Sequence, residues 1–362
     1  MGLETYFENF TRRDWEETDP RGTVRMAIIG VGGFARNRAL PAIESADYCE
    51  ATALVTGSPT STAEIADEFD IETVLSYDEF LEGAATDTYD AVYIATPNAT
   101  HGRYAVATAG YGKHVICEKT LETTVDRAQE VIDACENAGV TLMTAYRLQL
   151  EPAIRRTREL IVDGVIGEVV QIHAGFSNPL LEHAGADTWR LDPDLAGGGV
   201  LIDLGVYPLN TIRFLLECDP IAVSACTHSV HEAFEQVDEH VAFQLEFPGA
   251  VTASCTASYN AHAVSGLRVV GTEGMVSVSS PFGGVVPHDI YVECGDVGME
   301  YRGDPSDEVI EEFDYFGYCV LTGTDPEPDG EDGLRDLVAV RSIYEAAEAG
   351  RTVEIPAGEI AP

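Results

Sequence analysis

The chain has 362 residues, of which 21 are Lys or Arg and 62 are Asp or Glu, for a formal charge of −41. Such a charge repels phosphate backbones and anionic membrane surfaces, which excludes a nucleic-acid groove and a membrane-surface protein. With 45% apolar residues the acidity is not that of a disordered chain, and the length suffices for two domains.

Only two of the basic residues are lysines, Lys113 and Lys119. An acid-rich, lysine-poor surface resembles that of proteins from cells with molar cytoplasmic salt, the halophilic type, where the Debye length shrinks to roughly 3 Å. Residues 1–22 form a polar arm without the apolar centre of an export signal, and no run of 18 apolar residues occurs. The eight cysteines show neither a CxxC pair nor metal-finger spacing. A soluble, cytoplasmic protein is expected, binding no nucleic acid, membrane or metal.

After the arm, the apolar run VRMAIIGVG (24–32) predicts a strand buried on both faces, followed by a helix over FARNRALPAIESA. The alternation continues with strands at 50–56, 73–76, 90–95, 114–118 and 140–145, and helices at 60–69, 77–84, 98–110 and 124–138. That pattern specifies a parallel sheet covered on both faces. From residue 151 a helix (151–163) leads to a strand (168–177), an irregular stretch and a long helix beginning near Gly199. Strands follow at 220–229, 239–247, 250–259, 266–271, 275–279, 290–294 and 297–302, mainly antiparallel because short turn signals join neighbours. Helices at 307–322 and 333–349 close the chain. The expected organisation is an arm (1–22), an α/β dinucleotide-binding domain (23–147), an α+β substrate and oligomerisation domain with a large, mainly antiparallel open sheet (148–330), and a C-terminal helix and tail packing back on the structure (331–362).

Gly30-Val31-Gly32-Gly33-Phe34-Ala35 reads G-x-G-x-x-A between the first strand and its helix. Gly30 permits the tight turn, Gly32 lets backbone approach a pyrophosphate, and Ala35 lets helix and strand pack closely, the Rossmann arrangement. An NAD site usually ends its second strand in an acid. Here Thr56, Ser58 and Ser61 follow with no acid until Glu64, and Arg36 and Arg38 lie on the first helix, so NADP is favoured over NAD. His228 and His231 form H-x-x-H without a third ligand at metal spacing, which argues against zinc.

DAVYIATPNATH (90–101) and HVICEKT (114–120) each fall at the carboxyl end of a predicted strand, where open α/β sheets place ligands. Their residues resemble the marks of the glucose–fructose oxidoreductase / inositol dehydrogenase / rhizopine-catabolism family: a strand-end Thr-Pro followed by His, and Glu-Lys-Pro with a catalytic lysine. They fall on Thr96, Pro97, His101, Glu118 and Lys119, with Thr120 in place of proline, and Asn98 beside them is a further candidate for the cofactor. A trans Lys119–Thr120 peptide is expected, because a cis non-proline bond costs about 2.5–4 kcal/mol. AYRLQLEP (145–152) is similar to the family's Gly-Tyr-Arg junction, and 189–216 to its glycine-led active-site helix, with Asp203-Leu-Gly-Val-Tyr207 where the inositol branch has D-x-x-x-H. Tyrosine in that slot resembles the glucose–fructose oxidoreductases and the related sugar and dihydrodiol dehydrogenases.

The resemblance implies an NADP-dependent aldose 1-dehydrogenase, with D-xylose favoured, forming homodimers or homotetramers through the second sheet. It implies Tyr207 as acid/base, Lys119 as its electrostatic partner, and Asp203 holding sugar and lysine. Asp203 and Tyr207 are i and i+4 and share a helical face. A phenol of reference pKa about 10 needs a cation beside it to act as a base near pH 7. Arg147, Trp189 and Arg190 are assigned to the cofactor, and Asn178 and His183 to the sugar. The rivals are an oxidoreductase that retains its NADP between two sugars, and a non-catalytic dinucleotide sensor. The presence of Lys119, Asp203 and Tyr207 argues against the sensor.

Overall fold

Two sheets organise the chain, one in each of two units. The computed structural model describes residues 3–8, 10–303 and 306–356, the side chain of Ser61 apart. One unit comprises Arg13–Arg147 and Asp307–Leu334, the other Met1–Arg12, Leu148–Ser306 and Arg335–Pro362.

In the first unit, β1 (Val24–Ile29), β2 (Cys49–Thr56), β3 (Thr73–Ser76), β4 (Ala91–Ile94), β5 (His114–Glu118) and β6 (Leu142–Ala145) pair in parallel, in the order β3-β2-β1-β4-β5-β6. Their central residues are mostly apolar because helices cover both faces: Met26, Ala27, Ile28 and Ile29 are wholly buried. Each large aliphatic residue so buried contributes roughly 1.5–3 kcal/mol. Local signals end the helices. Thr124 accepts from Arg127 N ahead of helix Val125–Ala138, and Gly139 closes it in the left-handed conformation.

Helix Glu308–Thr322, expected in the substrate domain, belongs to this first unit. Its acids explain the difference. Glu308, Glu311 and Asp314 are fully buried, which charged groups tolerate only when paired. Their partners come from this unit: Arg13 reaches Glu311 at 2.8 Å and also Asp314, while Arg147 and Arg38 pair with Glu308. The arm divides as well. Trp15 lies edge-on to Tyr315 and Tyr318, whereas helix Leu3–Glu8, not expected from the sequence, stays with the second unit through Tyr6 to Asp163 and Phe7 on Tyr301.

The second unit is built on β7 (Val169–Ser177), β8 (Ala222–His228), β9 (His240–Glu246), β10 (Thr252–Ser258), β11 (Val264–Gly271), β12 (Gly274–Ser279), β13 (Ile290–Cys294), β14 (Val297–Tyr301) and β15 (Val353–Glu354). The order is β14-β13-β12-β11-β7-β10-β9-β8-β15, with β7 and β10 parallel and the other neighbours antiparallel. Strict alternation marks one covered face: Val241, Phe243 and Leu245 of β9 are buried, while Ala242, Gln244 and Glu246 are exposed. Helices Pro152–Val162 and Val206–Leu216 pack together on the covered side. The other face carries an open groove of about 1090 Å³ lined by His173, Ser254, Thr256, Arg268, Tyr291 and Glu300 among others. One stretch, Pro193–Leu216, has the length and hydropathy of a membrane span, but 83% of its apolar window is buried within the protein.

Candidate functional site

The first group of candidate residues gathers where the strand order reverses, at the carboxyl ends of β1 and β4, the crevice that open α/β sheets use for ligands. Gly30 leaves β1 with φ +92°, and a Cβ there would stand 2.6 Å from the Ala95 carbonyl oxygen, so the turn admits no side chain. A Cβ on Gly32 or Gly33 would meet nothing within 4 Å, and both glycines line a cavity of about 670 Å³ with Val31, Arg36 and Glu68. Open backbone in that position fits the pyrophosphate of a dinucleotide. Ala35 is buried against the sheet and Phe34 is 39% exposed beside the loop. The helix that follows contains a π turn over Ala35–Ala39.

The residues expected at the ribose separate. Arg36 remains at the cavity, 3.5 Å from Glu68, and Ser58 is exposed. Thr56 is buried instead, its hydroxyl accepting from Ser58 N and from Thr62, both at 3.2 Å. Arg38 pairs with Asp307 (3.0 Å) and with Glu308, whose buried carboxylate requires a counter-charge. The same need takes Arg147 to Glu308, so both arginines are engaged by an acid of their own unit. Ser61 lies in helix Pro59–Glu68, and its side chain is outside the described residues.

At the ends of β4 and β5, His101 is another correction. It is 0% exposed, enclosed by the chain, with Nε2 2.8 Å from the Thr96 carbonyl oxygen and Nδ1 2.9 Å from that of Thr120. With both ring nitrogens engaged it ties two loops together, and burial pulls its imidazole below the usual range. Thr96 accepts from the Thr100 hydroxyl at 2.8 Å, the Pro97 carbonyl accepts from the same hydroxyl, and buried Asn98 lies 3.5 Å from the Thr120 hydroxyl. The Lys119–Thr120 peptide is cis, contrary to expectation. Thr120 is wholly buried, its carbonyl against His101 and its hydroxyl donating to the Glu122 carbonyl. Glu118 accepts from Tyr93 at 2.6 Å and from Lys119 N at 3.2 Å. Nearby Glu312, invisible to sequence reasoning, is fully buried, and burial together with the Glu118 charge pushes its carboxyl well above the usual range.

The second group belongs to the other unit. Gly199 begins the long helix where a Cβ would lie 2.3 Å from the Asp238 carbonyl oxygen; the Asp238 carboxylate accepts from Gly199 N and Leu201 N, each at 2.8 Å. Next comes a second π turn, Leu201–Gly205, which carries Asp203 and replaces the regular i, i+4 spacing expected toward Tyr207. Single π turns inside α-helices recur at functional sites. Asp203 Oδ2 is 3.1 Å from Arg190 Nε and accepts from Tyr259 at 2.9 Å. The Arg190 guanidinium lies 4.7 Å over the Trp189 ring. The Asp203 charge leads in raising the Arg190 pKa, with Tyr259 and Tyr207 adding to it. Arg190, assigned to the cofactor from sequence, therefore belongs with the acid and the phenol. Tyr207 meets Phe176 edge-on at 5.5 Å. Asn178 is half-buried and tied through its N–H to the Ser258 carbonyl, and His183 is exposed; neither is brought into hydrogen-bond contact with Asp203 or Tyr207. His231 accepts from Ala233 N, capping a short turn, and no cluster of metal-ligating groups occurs among the described residues.

The chain matches two family models: the oxidoreductase family, NAD-binding Rossmann fold, over residues 24–146, and the GFO/IDH/MocA C-terminal domain over 154–277. It is 44% identical over 359 residues to a D-xylose 1-dehydrogenase [NADP(+)] of Haloarcula marismortui, covering 98% of this chain and 100% of that protein. It is 34% identical to a D-xylose 1-dehydrogenase (NADP(+)) 2 of Haloferax volcanii, covering 91% and 98%. Among solved structures, an aldose-aldose oxidoreductase from Caulobacter crescentus complexed with glycerol aligns with a TM-score of 0.86 and 30% identity, over 92% of this chain and all of that one. On the matched models and the near-complete coverage of these relatives, the chain belongs to the GFO/IDH/MocA oxidoreductase family.

Proposed function

We propose that this protein is an NADP-dependent aldose 1-dehydrogenase, oxidising a pyranose at C1 to the lactone, with D-xylose the favoured sugar. The observation that carries the reading is the 44% identity, over 98% of the chain, to an NADP-dependent D-xylose dehydrogenase. The open Gly32 and Gly33 backbone, Arg36 and exposed Ser58 are the residues that would hold NADP, which when bound accepts the hydride from C1. Tyr207 takes the proton of the C1 hydroxyl. The family resemblance assigns Lys119, just past the end of β5, as the electrostatic partner of that phenol, and Arg190 adds positive charge near Tyr207 within its own unit. Asp203, held by two donors, accepts from a sugar hydroxyl. Trp189, Phe176 and Tyr207 offer aromatic surface of the kind that packs against a sugar ring.

All eight cysteines are free, which suits a reducing cytoplasm. The uncovered face of the nine-stranded sheet is read as a subunit interface; sedimentation in molar salt should give a dimer or tetramer. The test of function is initial rates with NADP and NAD against pentoses, hexoses, inositols and diols in molar KCl. D-xylose with NADP should give the highest kcat/KM; reduction only with inositols or diols would overturn the reading.

A further inference from the structure

Tyr259 carries no motif and stands just past the end of β10, with nothing in its sequence neighbourhood to mark it. Its ring is 2% exposed and stacked on Phe234 at 5.8 Å and 22°. The hydroxyl, its one polar atom, donates to Asp203 Oδ2 at 2.9 Å. Burial and the Asp203 charge push that phenol well above its usual range, so it stays a neutral donor. Arg190 Nε approaches the same oxygen at 3.1 Å from the turn Trp189–Leu191, and Trp189 lies beneath its guanidinium.

Two donors from separate elements converging on one carboxylate oxygen do more than balance a charge. A carboxylate on a short side chain still turns about its own bonds, and this one is carried on a π turn, a feature that recurs at functional sites. Two donors on Oδ2 pin that oxygen and restrict rotation of the carboxylate. We propose that Tyr259, together with Arg190, is a positioning residue that makes Asp203 a rigid acceptor for one particular hydroxyl of the sugar, so that this trio sets which hydroxyl pattern the enzyme accepts. The inference rests on the aldose reading above. A rigid, partly buried acceptor rejects an analogue lacking its hydroxyl, because the carboxylate is then left under-paired; a loosened one discriminates less.

The test uses the full-length enzyme in molar KCl with saturating NADP, comparing D-xylose with its monodeoxy derivatives. Tyr259→Phe keeps the ring and its stacking but removes the donor. It should raise the KM for D-xylose about tenfold while kcat stays within about threefold and the KM for NADP is unchanged. The preference for D-xylose over one of the monodeoxy sugars, and only that one, should fall by about tenfold or more. A merely structural tyrosine would leave that ratio in place or weaken all sugars alike. Arg190→Lys retains the charge but loses the Nε donor and should move the same ratio in the same direction. Its side chain is one-third exposed, so should Tyr259→Phe fail to fold, the Arg190 variant decides alone. A wild type active on aldoses whose discrimination is unchanged in the variants overturns this inference and leaves the function standing. A wild type inactive on every aldose overturns both.

Discussion

At the scale of single residues, the chemistry turns on which side chains are held and which are left to react. Asp203 is held by Arg190 and Tyr259, and His101 is spent on two carbonyls, so neither is suited to move a proton. Tyr207 and Lys119 are the pair proposed for that task. Tyr207→Phe and Lys119→Ala should each lower kcat about 10²-fold or more, within the range for general acid–base groups, with little change in NADP affinity. Both serve one proton transfer, so the double variant should be hardly slower than the worse single. Steady-state rates on D-xylose check this; additive losses would mean that the two residues act in separate steps. The arginines teach the opposite lesson from sequence. Arg38 was expected as a counter-charge to a phosphate and Arg147 as a residue of the cofactor site, yet buried Glu308 pairs with both, and nothing in the sequence near either one announces a glutamate more than 150 positions away.

At the scale of elements, strands were the most legible part. β3, β5 and β13 occupy the spans expected from their apolar runs, since burial on one or both faces writes itself directly into composition. The glycine loop after β1 was legible for a similar reason: a φ of +92° and a 2.6 Å clearance leave one residue type. The two π turns were not legible, because the capping of Gly199 and Leu201 by Asp238, and the packing around Ala35, are tertiary facts. The membership of helix Glu308–Thr322 was hidden likewise, since its acids are paired by Arg13, Arg38 and Arg147, residues far away in the sequence. β5 carries a pH dependence of its own. His114 Nδ1 accepts from Thr141 N at 3.0 Å, which requires an unprotonated nitrogen, and burial lowers the imidazole pKa. Between that lowered value and the unfolded value of about 6.5 the unfolded chain binds the extra proton. The stabilising contribution of His114 is therefore complete above about pH 6.5 and is lost as pH falls toward the folded value. Thermal melts at constant salt should show a Tm that drops on acidification from pH 7.5 to 5.5, with a shallower drop in His114→Gln. An equal slope in both proteins would contradict the assignment.

At the scale of the whole molecule, the net charge of −41 is a property no single contact explains. Near 1 M salt the Debye length is roughly 3 Å, and like charges on the surface scarcely sense one another; near 0.01 M it is roughly 30 Å, and repulsion acts across the chain. Dilution from molar KCl into low-salt buffer should therefore unfold or inactivate the protein, as followed by circular dichroism and rate together; full activity and an unchanged spectrum at low salt would show the acidity to be incidental. The central claim concerns the fate of one hydrogen. D-xylose deuterated at C1, incubated with the enzyme and NADP in molar KCl, should yield reduced cofactor carrying the deuterium, with a lactone as product. Reduced cofactor free of deuterium would place the oxidised carbon elsewhere on the sugar and contradict the account.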